Sequence, residues 1–162
     1  MIFVCGLFHD RLVQLDTPIL SIVVPCYNEG GNVVALVEAI RATLGPLSLA
    51  YEVVFVDDAS GDGSWEKLQG LGALDTRIRG LRFGRNFGQS AALWAGIQAA
   101  RGQYIATLDA DLQNDPRDLP AFLEAIKKYD CVCGSRVANR EKRYSTAVAI
   151  FVLRVDWHGM NR

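Results

Sequence analysis

The sequence predicts an α/β domain built on a mostly parallel central sheet. Two patterns carry that prediction. Short runs rich in β-branched residues alternate with longer segments of helical period, the signature of βαβ units. The runs end in polar, turn-forming stretches, and sheets of this kind bind ligands beyond the carboxyl ends of their strands. The chain has 162 residues, close to the roughly 150 of one domain.

Residues 1–18 read as an irregular extension with no assigned role. Leu20–Pro25 is the first expected strand, closed by its proline. Asn32–Leu44 repeats apolar residues at 33, 36, 37, 40 and 44, a helical period, with Asn32 as N-cap and Gly45-Pro46 as its end. Glu52–Val56 is a second strand that runs into Asp57-Asp58. Gly61, Asp62 and Gly63 make a turn before a helix over Ser64–Leu74, and Asp62 is read as a turn former. Arg79–Phe83 is a third strand. The helix Gly88–Arg101 follows, with Gly102 as its stop. Its small residues, Ala91, Ala92, Ala95, Gly96 and Ala99, are expected to let it pack closely. Tyr104–Leu108 is a fourth strand. Asp115-Pro116 opens a helix whose buried face is Leu119, Phe122, Leu123 and Ile126. Cys131–Gly134 is the fifth strand.

Composition excludes several classes. With 17 basic and 18 acidic side chains the formal charge is −1, so no field draws the chain to nucleic acid. Half the residues are hydrophobic and 22% are charged, which argues against disorder. No apolar run reaches the roughly 18 residues of a membrane span; the longest are Ile19–Val24 and Ala147–Leu153. The apolar start is short and lacks a basic lead and a cleavage site, so no signal peptide is expected. Cys5, Cys26, Cys131 and Cys133 show no C-x-x-C spacing and read as small buried hydrophobes of a reducing cytosol. The two histidines, His9 and His158, offer a zinc ion no company. Trp65 and Trp94 are read as helix packing; Trp157 belongs to the tail.

The polar residues gather at strand ends. The first strand leads into Pro25-Cys-Tyr-Asn-Glu-Gly-Gly31, whose glycines permit a tight turn before a helix N-terminus where an anion can sit. Neither a phosphate-loop nor a dinucleotide fingerprint is present. Asp57 and Asp58 are adjacent carboxylates that raise each other's pKa unless compensated, and one of them can meet a nucleobase or ribose. Asp109 and Asp111 stand two apart, on one face of an extended chain. With the amide of Gln113 they form a hard oxygen set suited to Mg²⁺ or Mn²⁺, with positions left for a diphosphate. Arg85-Asn-Phe-Gly88 follows the third strand, and Arg136, in Gly134-Ser-Arg136, can pair with phosphate.

Taken together, Pro25-Cys-Tyr-Asn-Glu29, Val56-Asp-Asp-Ala-Ser60, Arg85-Asn-Phe-Gly88, Leu108-Asp-Ala-Asp-Leu-Gln-Asn114 and Gly134-Ser-Arg136 resemble family 2 glycosyltransferases of the GT-A fold. Within that family the likeness is to dolichol-phosphate mannose synthases and undecaprenyl-phosphate sugar transferases. It covers residues 20–138, roughly. The resemblance implies a Rossmann-like sandwich, C-terminally truncated, with a donor-binding domain over 19–138 and a partial acceptor-side or interfacial tail over 139–162. It implies that Pro25, Tyr27, Glu29, Asp57, Asp58, Asp109 and Ala110 bind the nucleotide. Asp109, Asp111 and Gln113 would hold the metal, and Asp109, Asp111 and Arg136 would serve catalysis. The implied reaction moves a sugar, with inversion, from a UDP- or GDP-linked donor to a polyprenyl phosphate. Such a protein would be cytoplasmic and peripheral at the cytoplasmic face of a membrane. A membrane surface or membrane-spanning partner would meet it there, and a homo-oligomer stays open. In the tail, Arg140, Lys142 and Arg143 beside Ser145–Leu153 suit either an anionic interface or a cut-short helix. The competing reading is a truncated, catalytically incomplete nucleotide-sugar-binding fragment or subunit. A phospho-acceptor signalling domain would want a lysine after its last strand, where Arg136 stands. A dinucleotide oxidoreductase lacks its glycines.

Overall fold

The computed structural model describes residues 4–8, 17–134 and 150–155. Its elements run β1 (Val4–Phe8), β2 (Leu20–Cys26), α1 (Val33–Leu44), β3 (Tyr51–Asp57), α2 (Ser64–Leu74), β4 (Ile78–Phe83), α3 (Gln89–Ala99), β5 (Tyr104–Thr107), α4 (Leu119–Ala125), β6 (Cys131–Cys133) and β7 (Phe151–Arg154). They form one sheet in the order β1-β4-β3-β2-β5-β7-β6. The middle four strands, β4-β3-β2-β5, are mutually parallel. The flanking pairs are antiparallel.

The central strands β2 and β3 are buried along their whole length, as strands covered on both faces must be. One face carries α1, α2 and α4: Leu20, Ile22, Val24, Val53 and Phe55 pack with Leu36, Ile40, Leu68 and Leu119. The opposite face carries α3, which sits on Val54, Val56, Leu81 and Phe83. There the small residues matter. A Cβ on Gly96 would collide with Val23 Cγ1 and press on Val56 Cγ2, so the helix lies as close to the sheet as a backbone can.

Several expectations need correction. The extension over 1–18 holds a strand, β1, whose backbone covers the outer edge of β4. The apolar stretch at 145–153 ends in a strand as well: β7 is inserted between β5 and β6. Its alternation explains this, because Val152 is fully buried while Phe151 and Leu153 turn to the other face. Asn32 gives α1 no side-chain cap; its amide donates to Glu29 Oε2 at 2.6 Å. Gly102 does not stop α3, which ends at Ala99. Gly102 is required by close approach instead, since a Cβ there would fall 2.5 Å from the Ser21 backbone nitrogen. Trp94 is 59% exposed and packs on nothing like a core, whereas Trp65 is buried under Arg82. Cys26 is buried, but Cys131 and Cys133 are exposed on the edge strand. Arg136, Arg140, Lys142, Arg143 and Trp157 lie outside the described residues. Among the described residues no helix is long and apolar enough to cross a membrane.

Asp75, just past α2, ties two elements together. It meets Arg41 of α1 at 2.8 Å and Arg77 at 2.9 Å. Burial works against the carboxylate, but the hydrogen bonds from Arg77 and Arg41 overcome it and hold its pKa down at about 2. A depressed carboxylate pKa adds stability above the unfolded value and loses it as pH falls through the folded one. Both arginines are more than a third exposed, so the gain is about 1–2 kcal/mol. Asp75→Asn should therefore lower stability near neutral pH by that amount. The difference should vanish as pH falls from 3.8 to about 2. Urea unfolding of both proteins across that range checks it; a gap independent of pH would contradict the account.

Candidate functional site

The carboxyl ends of β2, β3 and β5 and the start of α3 enclose a cleft of about 460 Å³. Its walls include Pro25, Tyr27 and Glu29 after β2, Asp58 after β3, and Asp109, Ala110 and Asp111 after β5. The loop into α3 adds Asn86, Gly88 and Gln89.

Each loop turns sharply just beyond its strand. Asn28, Ala59 and Leu112 have φ values of 57°, 62° and 62°, in the left-handed region. Asparagine tolerates that region, while alanine and leucine give up about 1–2 kcal/mol each to adopt it. Strain of this kind collects at functional sites.

The β2 and β3 loops are laced together. Asn28 N–H donates to Ser60 Oγ at 2.8 Å and Glu29 N–H to Ser64 Oγ at 3.0 Å. Gly61 N–H returns to Asn28 Oδ1 at 3.0 Å. Asp62 takes the turn role, accepting from Gly30 N–H at 2.8 Å and Ser64 N–H at 3.0 Å. Those bonds, the Ser64 hydroxyl first, hold its carboxyl below the usual range. A Cβ on Gly30 would sit 3.1 Å from that carboxylate, which explains a glycine there.

The two adjacent aspartates have separate fates. Asp57 is fully buried and is not part of the cleft wall. Burial pushes its carboxyl above the usual range, against hydrogen bonds from Ser60 and the charge of Arg82, 3.2 Å away. Asp58 reaches the cleft wall. Its Oδ1 accepts from Phe87 N–H at 2.7 Å and its Oδ2 from Gly88 N–H at 2.8 Å. Gly88 has φ 90° and ψ 161°, a conformation open only to glycine. The β3 loop thus fixes the start of α3.

Asp109 and Asp111 both line the cleft, in the turn that follows β5 rather than on an extended strand. Gln89 Nε2 donates to Asp109 Oδ1 at 2.8 Å, and Asn114 Nδ2 to Oδ2 at 3.2 Å. Asp111 accepts from Gln113 N–H at 3.0 Å. Gln113 is exposed and is not among the residues lining the cleft. Gln89 and Asn86 were missed as site residues in the sequence. The signal that finds them is the rule already applied elsewhere: they follow the carboxyl end of a parallel strand, β4. Cys26 also lines the cleft. Burial, backed by the Asp57 charge, pushes its thiol up to about 12, so it stays protonated.

The electrostatics are one-sided. Among the described residues, Glu29, Asp58, Asp109 and Asp111 line the cleft and no lysine, arginine or histidine does. A divalent cation held by these carboxylates would offset the charge of an entering anion. The donors at hand are hard oxygens, which fit Mg²⁺ or Mn²⁺. Among the described residues no three His, Cys, Asp or Glu side chains are gathered for a metal ion. A metal bound by Asp109 and Asp111 would take its remaining ligands from water and the bound anion.

This parallel sheet, with carboxylates over its carboxyl edge, is the GT-A architecture of glycosyltransferases. The chain belongs to glycosyl transferase family 2, whose family model matches residues 21–160. It is 39% identical over 127 residues to the undecaprenyl-phosphate 4-deoxy-4-formamido-L-arabinose transferase of Aeromonas hydrophila, covering 78% of this chain and 39% of that protein. It is 44% identical over 123 residues to the dodecaprenyl-phosphate galacturonate synthase of Rhizobium johnstonii, covering 74% and 35%. The chain thus spans about two-fifths of these relatives' length. In fold it is similar to the mannosyltransferase PcManGT of Pyrobaculum calidifontis, solved with GDP-Man and Mn²⁺. The TM-score is 0.69 at 20% identity, over 85% of this chain and 44% of that one. It is also similar to S. aureus TarS 1-349 with UDP-GlcNAc, at TM-score 0.61 and 20% identity, over 78% and 37%.

Replacing Asp58 tests the tie between β3 and α3. Asp58→Asn leaves one acceptor oxygen for two backbone N–H groups and turns an amide donor toward the other. The loss of a charge-assisted bond in a buried setting is about 2–3 kcal/mol. The urea midpoint should fall accordingly, and an unchanged midpoint would show that the carboxylate does not hold the loop.

Proposed function

We propose that this domain binds a nucleoside-diphosphate sugar together with Mg²⁺ or Mn²⁺ and serves transfer of the sugar, with inversion, to a polyprenyl phosphate. The observation that carries this reading is the gathering of four carboxylates, Glu29, Asp58, Asp109 and Asp111, on one cleft at the carboxyl edge of the sheet. A donor diphosphate needs the charge that a divalent ion supplies when bound, and the ion also eases departure of the leaving group. Asp109 and Asp111 are the residues that would hold it. Gln113 stands outside the lining, so the two aspartates carry the proposal. Pro25, Tyr27, Glu29, Asp58 and Ala110 supply the walls for the nucleotide. Asp57 acts through packing behind them. GDP-Man with Mn²⁺ in one structural neighbour and UDP-GlcNAc in another support donors of the GDP or UDP class.

The acceptor class draws on the relatives, which are named for transfer to undecaprenyl phosphate and for synthesis of a dodecaprenyl-phosphate sugar. In this reading an acceptor phosphate oxygen forms the new bond to the anomeric carbon. The bond to the donor diphosphate breaks, its electron pair leaves with the nucleoside diphosphate, and the configuration inverts. The attacking group is already an anion, so positioning matters more than a general base. A lipid-linked acceptor places the reaction at a membrane, here its cytoplasmic face. A second reading is nucleotide-sugar binding without transfer. It draws on the same cleft, where no lining side chain among the described residues is placed to meet an acceptor phosphate.

Thermal unfolding with UDP, GDP and CDP, each with Mn²⁺, Mg²⁺ or a chelator, tests donor binding. Ligand at about 100 times its dissociation constant adds about 2.7 kcal/mol. For this size of domain the shift is about 5–10 °C. One nucleotide should produce it, and chelator and Asp111→Ala should each remove it. A cooperative transition that no nucleotide moves would sink the donor-site reading. Sugar transfer from that nucleotide to a polyprenyl phosphate then separates the enzyme from the binding module.

A further inference from the structure

The edge strand β6 carries two cysteines that the cleft does not use. Val132 packs against the main core, in register with the fully buried Val152. Strand alternation therefore turns Cys131 and Cys133 to the opposite face, both on the same side. Both are exposed, and their sulfurs stand 3.8 Å apart. Their register partners on β7 are Leu153 and Phe151, so the pair has apolar neighbours on one side and stands open to solvent.

We propose that Cys131 and Cys133 form a two-thiolate site for a thiophilic divalent cation of the zinc class. The separation carries the argument. Two thiolates bound about 2.3 Å from a tetrahedral zinc ion lie about 3.8 Å from each other. The observed spacing matches that edge, so chelation needs no movement of the backbone. A disulfide is the competing fate of two close thiols, and the strand opposes it. Two strand steps span about 6.6–6.8 Å, at the upper limit for Cα atoms joined through a disulfide. Closing the bond would contract β6 and pull it from β7. On binding, each thiol releases its proton to solvent and the cation gains two sulfur ligands; water or an external ligand completes the tetrahedron. Softness separates this site from the cleft, whose hard carboxylates suit a different cation. A search for C-x-x-C spacing passes over it because residues two apart share a strand face, while residues three apart do not.

Cadmium serves as the spectroscopic probe, because thiolate–cadmium bonds give an ultraviolet charge-transfer band and carboxylates do not. Titrating the reduced, full chain should produce a saturable band at one cadmium per chain. Cys131→Ser and Cys133→Ser should each weaken binding by more than about tenfold, and the double variant should lose the band. Circular dichroism confirms that the variants fold. X-ray absorption at the cadmium edge of the wild-type chain needs no variant and should count two sulfur neighbours. A band that survives in the double variant would assign the metal to the other cysteines and overturn the proposal. Single variants that bind as tightly as wild type, one sulfur neighbour or none, or no band in the reduced wild-type chain would overturn it equally. None of these outcomes depends on the nucleotide panel.

Discussion

The Asp58 carboxylate accepts two backbone N–H groups from the loop into α3, and the geometry of the cleft is registered through those bonds. They fix where α3 begins. Its first residue, Gln89, then reaches Asp109 across the cleft at 2.8 Å. A carboxylate at the end of β3 thus sets the position of a carboxylate at the end of β5 through one helix start. That requires α3 to be held elsewhere too, and it is. Its middle is pressed onto Val23 and Val56 by the absence of a side chain at Gly96. Its far end is tied at the opposite edge of the sheet. There Ser21 Oγ donates to Glu52 at 2.6 Å, Arg79 meets Glu52 at 2.7 Å and the Ala99 carbonyl at 2.9 Å, and the Arg101 and Gly102 N–H groups donate into the same cluster.

That buried cluster has a different character from the cleft. Glu52 and Arg79 neutralise each other at close range, with backbone groups taking up further bonding capacity. Removing either partner would strand a buried charge, the arrangement in which such pairs matter most. Over the cleft, Asp58 accepts from backbone N–H groups, Asp109 from the Gln89 and Asn114 amides, and Glu29 from the Asn32 amide. Neutral donors orient a carboxylate without cancelling its charge. One edge of the sheet closes on a buried ion pair, and the other gathers carboxylates around an open cleft.

Much of this was legible in the sequence. The alternation of β-branched runs and helical periods predicted the parallel core because each of those strands is buried on both faces, which forces continuous apolar runs. The strand-end rule placed Pro25, Tyr27, Glu29, Asp58, Asp109 and Asp111 on one cleft. What failed was decided by long-range contact. Gly102 looks like a helix stop until β2 is seen against it. The strand nature of Phe151–Arg154 depends on having β5 and β6 on either side, which no local pattern announces. Asp57 and Asp58 part because neighbouring side chains at a strand end point to opposite sides. Which of them reaches the cleft depends on Arg82 beside one and the Phe87 and Gly88 N–H groups beside the other, partners that the local sequence does not reveal.

The same reasoning explains why Gln89 escaped notice. A glutamine at a helix start carries no chemical signature, and it gains a role only because Gly88 adopts a backbone conformation open to glycine alone and Asp58 grips that backbone. Its amide holds one oxygen of Asp109 while Asn114 holds the other, so the carboxylate is oriented before anything binds. Orienting it in advance spares a ligand the entropy of ordering it, which is how a rigid scaffold raises affinity without adding contacts. The strained loops, the glycine-tight helix and the amide-held aspartates therefore describe one arrangement. Together they hold four carboxylates on one cleft at the carboxyl edge of the sheet.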